Sequence, residues 1–168
     1  HVLSVSEDRK ETSLDGFWKT LSTEQLAGIE AVAMDMWEPY ENSVRKHLPE
    51  AERKIVYDKF HVAKHLGEAV DRVRRAENKA LRACGDERLV GTKYHWLRNP
   101  LNFQDHQWRE FQALRRSNLK TARAWAMKEQ AMVLWDYRYE GPARKHFACW
   151  YRWATRSRLK PMIEKAKM

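Results

Sequence analysis

Ala31-Val32-Ala33-Met34-Asp35 and, twenty-three residues further on, Lys54-Ile55-Val56-Tyr57-Asp58-Lys59-Phe60-His61 decide how this chain is read. Each apolar run reads as a short strand, and each ends on an aspartate. In open α/β sheets the ligand crevice lies beyond the carboxyl ends of the strands, so a carboxylate at such a tip is held rigidly where chemistry takes place. Asp35 is therefore the leading candidate for a catalytic, metal-ligating residue, because Mg²⁺ or Mn²⁺ prefers hard oxygen donors. Its plainer reading is a turn or helix-capping aspartate. Asp58 and His61, three apart at a strand-to-helix junction, are placed to orient that site or each other from behind. His61 and His65 share a helix face, but Val62 stands where a zinc protease would carry its glutamate.

Outward from these strands, the first sixty residues alternate. The pattern predicts a strand at Val2–Val5, a helix at Ser13–Leu21, a turn over Ser22–Leu26 capped by Ser or Thr, and a helix from Pro39 to His47. With the strands at Ala31–Met34 and Lys54–Tyr57, this is the β-α-β-α-β order of a parallel or mixed sheet covered by helices. After Val62 helical spacing takes over: Val62, Leu66, Ala69, Val70 and Val73 recur every three or four residues. Loops are expected at Cys84-Gly85-Asp86, Gly91-Thr92, Asn99-Pro100 and Glu140-Gly141-Pro142. Between the last two, one long helix or two joined helices span Gln104–Tyr139, with Trp108, Phe111, Leu114, Leu119, Ala122, Trp125, Met132 and Trp135 as the buried face. Phe147, Trp150 and Trp153 or Ala154 mark a further helix, whose aromatics are read as core.

The composition excludes several classes. The hydrophobic share of 43% with eight Trp supports a real core rather than disorder. Cys84 and Cys149 lie far apart, giving neither a disulfide framework nor a zinc spacing, and are read as buried or incidental thiols. No apolar run approaches the ~20 residues a membrane span needs, so the chain reads as soluble, cytoplasmic and without a membrane partner. Six scattered glycines provide no phosphate loop or dinucleotide fingerprint. The chain opens on His1, and Pro161–Met168 reads as the first turns of a helix; an internal fragment of a longer protein is expected.

The net charge of +9 favours a polyanionic partner. Most of it is concentrated between Gly141 and Met168, where eight basic residues face the single acid Glu164, a local +7. Arg144, Lys145, Arg152, Arg156, Arg158 and Lys160 are the candidate DNA-phosphate contacts. A solvated helix face is the alternative. Glu129 is the weaker candidate for a further catalytic acid, against its reading as a surface helix residue.

Ala33-Met34-Asp35-Met36-Trp37-Glu38-Pro39-Tyr40, Leu48-Pro49-Glu50-Ala51 and Ile55-Val56-Tyr57-Asp58-Lys59-Phe60-His61-Val62 resemble the catalytic region of DDE transposases of the ISL-three insertion-sequence family. The likeness continues through Leu97-Arg98-Asn99-Pro100, Leu119-Lys120-Thr121-Ala122, Met127-Lys128-Glu129 and Trp153-Ala154-Thr155-Arg156-Ser157. The resemblance implies a partial RNase H-like catalytic core over residues 1–62, carrying strands three to five of its sheet. An all-helical insertion with a basic, Trp-rich end would follow over 63–168, making an α/β fragment that is predominantly helical overall. It implies Asp35 as the second acid of the triad, with Asp58 and His61 as the C/D-x-x-H signature. The first Asp and the Glu of the triad would lie outside this chain, leaving Glu129 as a remote stand-in and the fragment alone inactive. It further implies Mg²⁺-dependent DNA cleavage and strand transfer on transposon ends and target. The intact enzyme would be a homo-oligomer of the bacterial cytoplasm, nucleoid-associated when on DNA. A noncatalytic helical DNA-binding module and another RNase H-like nuclease are the competing readings.

Overall fold

The computed structural model describes all residues, His1–Met168. Ten α-helices and two short strands make the chain predominantly helical, and it divides into two compact units, His1–Val62 and Ala63–Met168.

In the first unit, α1 (Glu11–Trp18) and α2 (Thr23–Gly28) precede β1 (Val32–Met34), and α3 (Glu38–His47) and α4 (Ala51–Lys54) lead to β2 (Ile55–Tyr57). The strands pair in parallel, Val32 with Ile55, Ala33 with Val56 and Met34 with Tyr57. Parallel neighbours require a crossover, and α3 with α4 provides it. Ala33 and Val56 are exposed while their neighbours are half-buried, the period-two pattern of a sheet packed on one face. That face meets Trp18, Val44, Leu48 and Ala51, with Leu14, Phe17, Leu26 and Ile29 around them.

Local chemistry sets the helix starts. Ser22 Oγ accepts from the Gln25 amide while the Gln25 side chain accepts from the Ser22 amide, a reciprocal cap on α2. Pro39 lies in the first turn of α3, where its missing N–H costs nothing, and Arg45, Lys46 and His47 complement the dipole at the other end.

A polar network ties α1 to α3. The Trp18 indole donates to Ser43 Oγ (3.1 Å), Ser43 donates to Asp15 Oδ1 (2.6 Å), and Lys46 donates to Asp15 Oδ2 (2.6 Å). His47 Nε2 stands 3.2 Å from the same Asp15 Oδ1. The Lys46 bond first, then the Ser43 bond, hold the Asp15 carboxyl well below its usual range, at about 2.

In the second unit, α5 (Lys59–Ala83, begun in the first) buries Leu66, Ala69, Val70 and Val73 on one stripe. It stops at Gly85, whose φ of 79° is left-handed; the Gly85 amide donates to Arg82 O and the Asp86 amide to Leu81 O. Then come α6 (Lys93–Leu97), α7 (Asp105–Arg116), α8 (Lys120–Met132), α9 (Glu140–Arg156) and α10 (Lys160–Ala166). Phe111, fully buried, is the hub of an aromatic cluster. It meets Trp96 and Trp125 edge-on at 4.9 and 5.1 Å and stacks on Phe103 at 5.2 Å. Burial of each such side chain stabilises by about 1.5–3 kcal/mol, so this cluster dominates the unit's packing. Glu77 on α5 accepts from the Lys120 and Thr121 amides and from Thr121 Oγ1, each at 2.7 Å. A carboxylate from another helix thus satisfies the free N–H groups that open α8.

Several expectations need correction. Val2–Val5 forms no strand: Val2, Leu3 and Val5 are 81%, 78% and 86% exposed, and the sheet has two strands. Alternation signals a half-buried strand only where a neighbour supplies the backbone partners, and none pairs with it here. Of the two forms expected for Gln104–Tyr139 the chain takes the second, two helices, broken at Ser117–Leu119, where Ser117 Oγ donates to Leu114 O. Within its expected buried face, Phe111, Leu119, Ala122 and Trp125 are buried, while Trp108, Leu114, Met132 and Trp135 are half-buried. Gly141-Pro142 opens α9 rather than a loop, since proline is harmless in a helix's first turn. Of the two readings of Cys84 and Cys149, buried or incidental thiols, burial does not hold: both are exposed and free.

Candidate active site

The sequence-derived site rests on the register of the small sheet. Beyond the last paired residues the Asp58 amide still donates to Met34 O (3.1 Å), so β1 and β2 end side by side. Asp35 and Asp58 therefore stand at adjacent carboxyl tips of parallel strands, the position the crevice rule singles out. Just past Asp35 the chain bends, with the Trp37 amide donating to Asp35 O (2.8 Å).

Asp58 does two things. Its Oδ1 accepts from the Phe60 amide (2.7 Å) and its carbonyl accepts from the Val62 amide (3.1 Å), so it caps the start of α5. Its other oxygen, Oδ2, lies 3.6 Å from His61 Nδ1. His61, one turn into the helix, points its Nε2 to within 3.6 Å of Asp35 Oδ2. The imidazole thus stands between two carboxylates, each slightly beyond hydrogen-bonding distance. Its Nδ1 is buried without a hydrogen bond. Catalytic contacts commonly tighten only when substrate is bound.

Arg9 is a participant that sequence reasoning missed. Its guanidinium lies 3.7 Å from Asp35 Oδ2 and rests over the rings of Trp37 (5.7 Å) and Tyr40 (5.9 Å), while its carbonyl accepts from the Trp37 indole (3.3 Å). Nothing local connects position 9 to position 35; the Trp37-x-x-Tyr40 spacing after the aspartate is the one signal that a cation would be received there.

Asp35 is 31% exposed and is the oxygen donor a divalent ion takes. No three His, Cys, Asp or Glu side chains, however, stand close enough together to hold one ion. The residues of this chain do not by themselves fit a complete metal site. Glu129 lies on α8 in the second unit, its carboxylate 2.7 Å from the Lys128 ammonium. His65 serves different neighbours from His61: its Nδ1 lies 3.1 Å from Lys165 Nζ and 3.6 Å from Glu68.

The basic candidates of the second unit lie on α9, in the turn after it and, for Lys160, at the start of α10. Arg144, Lys145, Arg152, Arg156, Arg158 and Lys160 are all exposed. Arg144 is paired with Glu140 at 2.6 Å. The aromatics among them divide, against the expectation that they are core. Trp150 is buried and its indole donates to Met127 O (2.8 Å), whereas Phe147, Tyr151 and Trp153 are 46%, 39% and 41% exposed. Helical geometry explains it: positions three before and three after Trp150 lie about 60° to either side of it, off the stripe that Trp150 and Ala154 bury.

The family model of the ISL-three (ISL3) DDE transposases, described as transposase, matches residues 1–168. The transposase for insertion sequence element IS1001 of Bordetella parapertussis is 32% identical over 159 residues, covering 93% of this chain and 39% of that protein. The chain thus spans about two fifths of the length of the curated relative it matches. No solved structure matches. No helix is long and apolar enough to cross a membrane.

Proposed function

Because this chain belongs to the DDE transposases of the ISL-three family, we propose that it is the part of an insertion-sequence transposase that presents Asp35 to DNA. The reaction we assign to the whole enzyme is Mg²⁺- or Mn²⁺-dependent cleavage and strand transfer at transposon ends. We read the first unit as part of an RNase H-like core and the second as a helical insertion. Adjacent strand tips bearing Asp35 and Asp58 with His61 between them carry this reading.

When bound, a divalent ion would supply Lewis-acid activation of the phosphodiester. In that enzyme Asp35 would contribute one carboxylate, the remaining ligands coming from outside these 168 residues. His61 would orient Asp35, and Asp58 would orient His61 while anchoring α5. A local ion pair with Lys128 gives Glu129 another use. The exposed cations of α9 would contact DNA phosphates, and a homo-oligomeric complex in the bacterial cytoplasm would bring the ends together.

The test is the intact protein incubated with labelled insertion-sequence ends, target DNA and Mg²⁺. Joined strand-transfer products support the transposase reading; cleavage without joining points to another RNase H-like nuclease, and salt-sensitive binding alone to a noncatalytic module. The 168-residue chain on its own is expected not to nick DNA. Nicking by it that Asp35→Asn abolishes would overturn that expectation and bring Glu129 forward.

A further inference from the structure

The end of α9 departs from the economy shown at the end of α5. Both helices stop on a residue in the left-handed region, but α5 uses Gly85 (φ 79°) and α9 uses Arg158 (φ 61°). Glycine takes this conformation without steric penalty, whereas an arginine pays for its Cβ. The α9 turn is otherwise well satisfied: the Ser157 amide donates to Ala154 O, and the Leu159 amide to Ser157 Oγ (3.1 Å). Nothing in the backbone requires a side chain at position 158.

The groove beside Arg158 gives that side chain a use. It has a volume of about 320 Å³ and runs between α5, the first residue of α8 and the α9–α10 corner, entirely within the second unit. Arg158, Lys160 and Lys120 line it, and none of these three side chains has an acidic partner. The groove's other charged groups are occupied. Arg72 is paired with Glu164 at 2.8 Å, and Glu77 is spent on three hydrogen bonds at the start of α8. Val73, Ala76, Ala80, Leu81 and Pro161 make the floor apolar. The hydrogen bonds to Glu77 come from neutral donors and leave its charge in place, so Lys120, Arg158 and Lys160 stand against one carboxylate, and the net positive charge that remains attracts an anion.

We propose that this groove is a seat for one phosphate of the DNA backbone, with Lys120, Arg158 and Lys160 as its donors. It rests on the DNA-binding reading above and adds Lys120 and a defined place in the fold. The seat is separate from the outer face of α9, where Arg144, Lys145 and Arg152 lie. A backbone phosphate fits better than a base, since the lining provides charge and no aromatic ring.

The intact protein, titrated with fluorescent duplex DNA at several salt concentrations, tests this. Losing one phosphate contact lowers the slope of log affinity against log salt by about 0.9. Lys120→Gln, Arg158→Gln and Lys160→Gln together should produce that loss, whereas neutralising Arg109, Arg123 and Arg138 together should leave the slope unchanged. Arg158→Gly separates binding from folding: it should raise Tm, by relieving the left-handed arginine, while weakening DNA binding. A triple variant that folds and keeps the wild-type slope, or a control triple with an equal loss, overturns the seat while the DNA reading stands. A wild-type protein without salt-dependent DNA affinity overturns both.

Discussion

Residues 1–62 bury four apolar side chains almost completely, whereas residues 63–168 bury seventeen. The first unit makes up for its thin core with polar bonds between α1 and α3, and it carries the candidate chemistry on half-exposed strand tips. The second is held by an aromatic cluster and displays its charge on the outside of helices. The difference suits the two roles we propose for them: placing a few carboxylates accurately, and presenting a stable basic surface. Buried polar networks specify geometry because each member must find its partner, while apolar packing provides the bulk of the stabilisation.

The sharpest way to break this contrast is to remove Phe111, the hub of the second unit. Phe111→Ala is expected to cost about 3–5 kcal/mol, read by urea denaturation with fluorescence. A loss below 1 kcal/mol would mean the cluster is not what holds the unit.

The first unit should respond to pH instead. Asp15 is held at about 2 against 3.8 for a free aspartate, so it binds fewer protons folded than unfolded at intermediate pH. Its contribution is therefore complete above 3.8 and is lost as pH falls toward about 2. Thermal melts of wild type and Asp15→Asn should differ most above pH 4 and converge by pH 2; a constant gap would show that the charged bonds to Lys46 and Ser43 are not responsible.

Effects on stability should be smaller still where residues serve function. His61→Ala, at a half-exposed position, is expected to shift unfolding by no more than about 0.5 kcal/mol. Strand transfer by the intact protein should nevertheless fall about 10–100-fold, as when a residue orienting a metal ligand is lost.

Much of the candidate site was legible because it is local. Two parallel strands joined by one crossover place their ends side by side, and a helix starting at Asp58 brings residue 61 back over the tip within one turn. The Ser22 cap and the Pro39 start are equally short-range. What escaped notice depends on distant partners. Val2–Val5 alternates like a strand, but pairing is decided by what lies beside it. Arg9 reaches Asp35 through Trp37 and Tyr40, a contact that spacing cannot reveal. The break at Ser117–Leu119 has neither Gly nor Pro, and its restart is capped by Glu77 from another helix. Gly141-Pro142 shows the opposite error, since residues that end helices in mid-chain also begin them.

The most direct measurement compares wild type and Asp35→Asn of the intact protein for DNA cleavage and strand transfer, with circular dichroism confirming that both fold. Loss of both activities in a folded variant is the result expected if Asp35 is a catalytic carboxylate at its strand tip. Activity retained at the wild-type level would contradict that assignment and leave the first unit a structural support for a DNA-binding helical region.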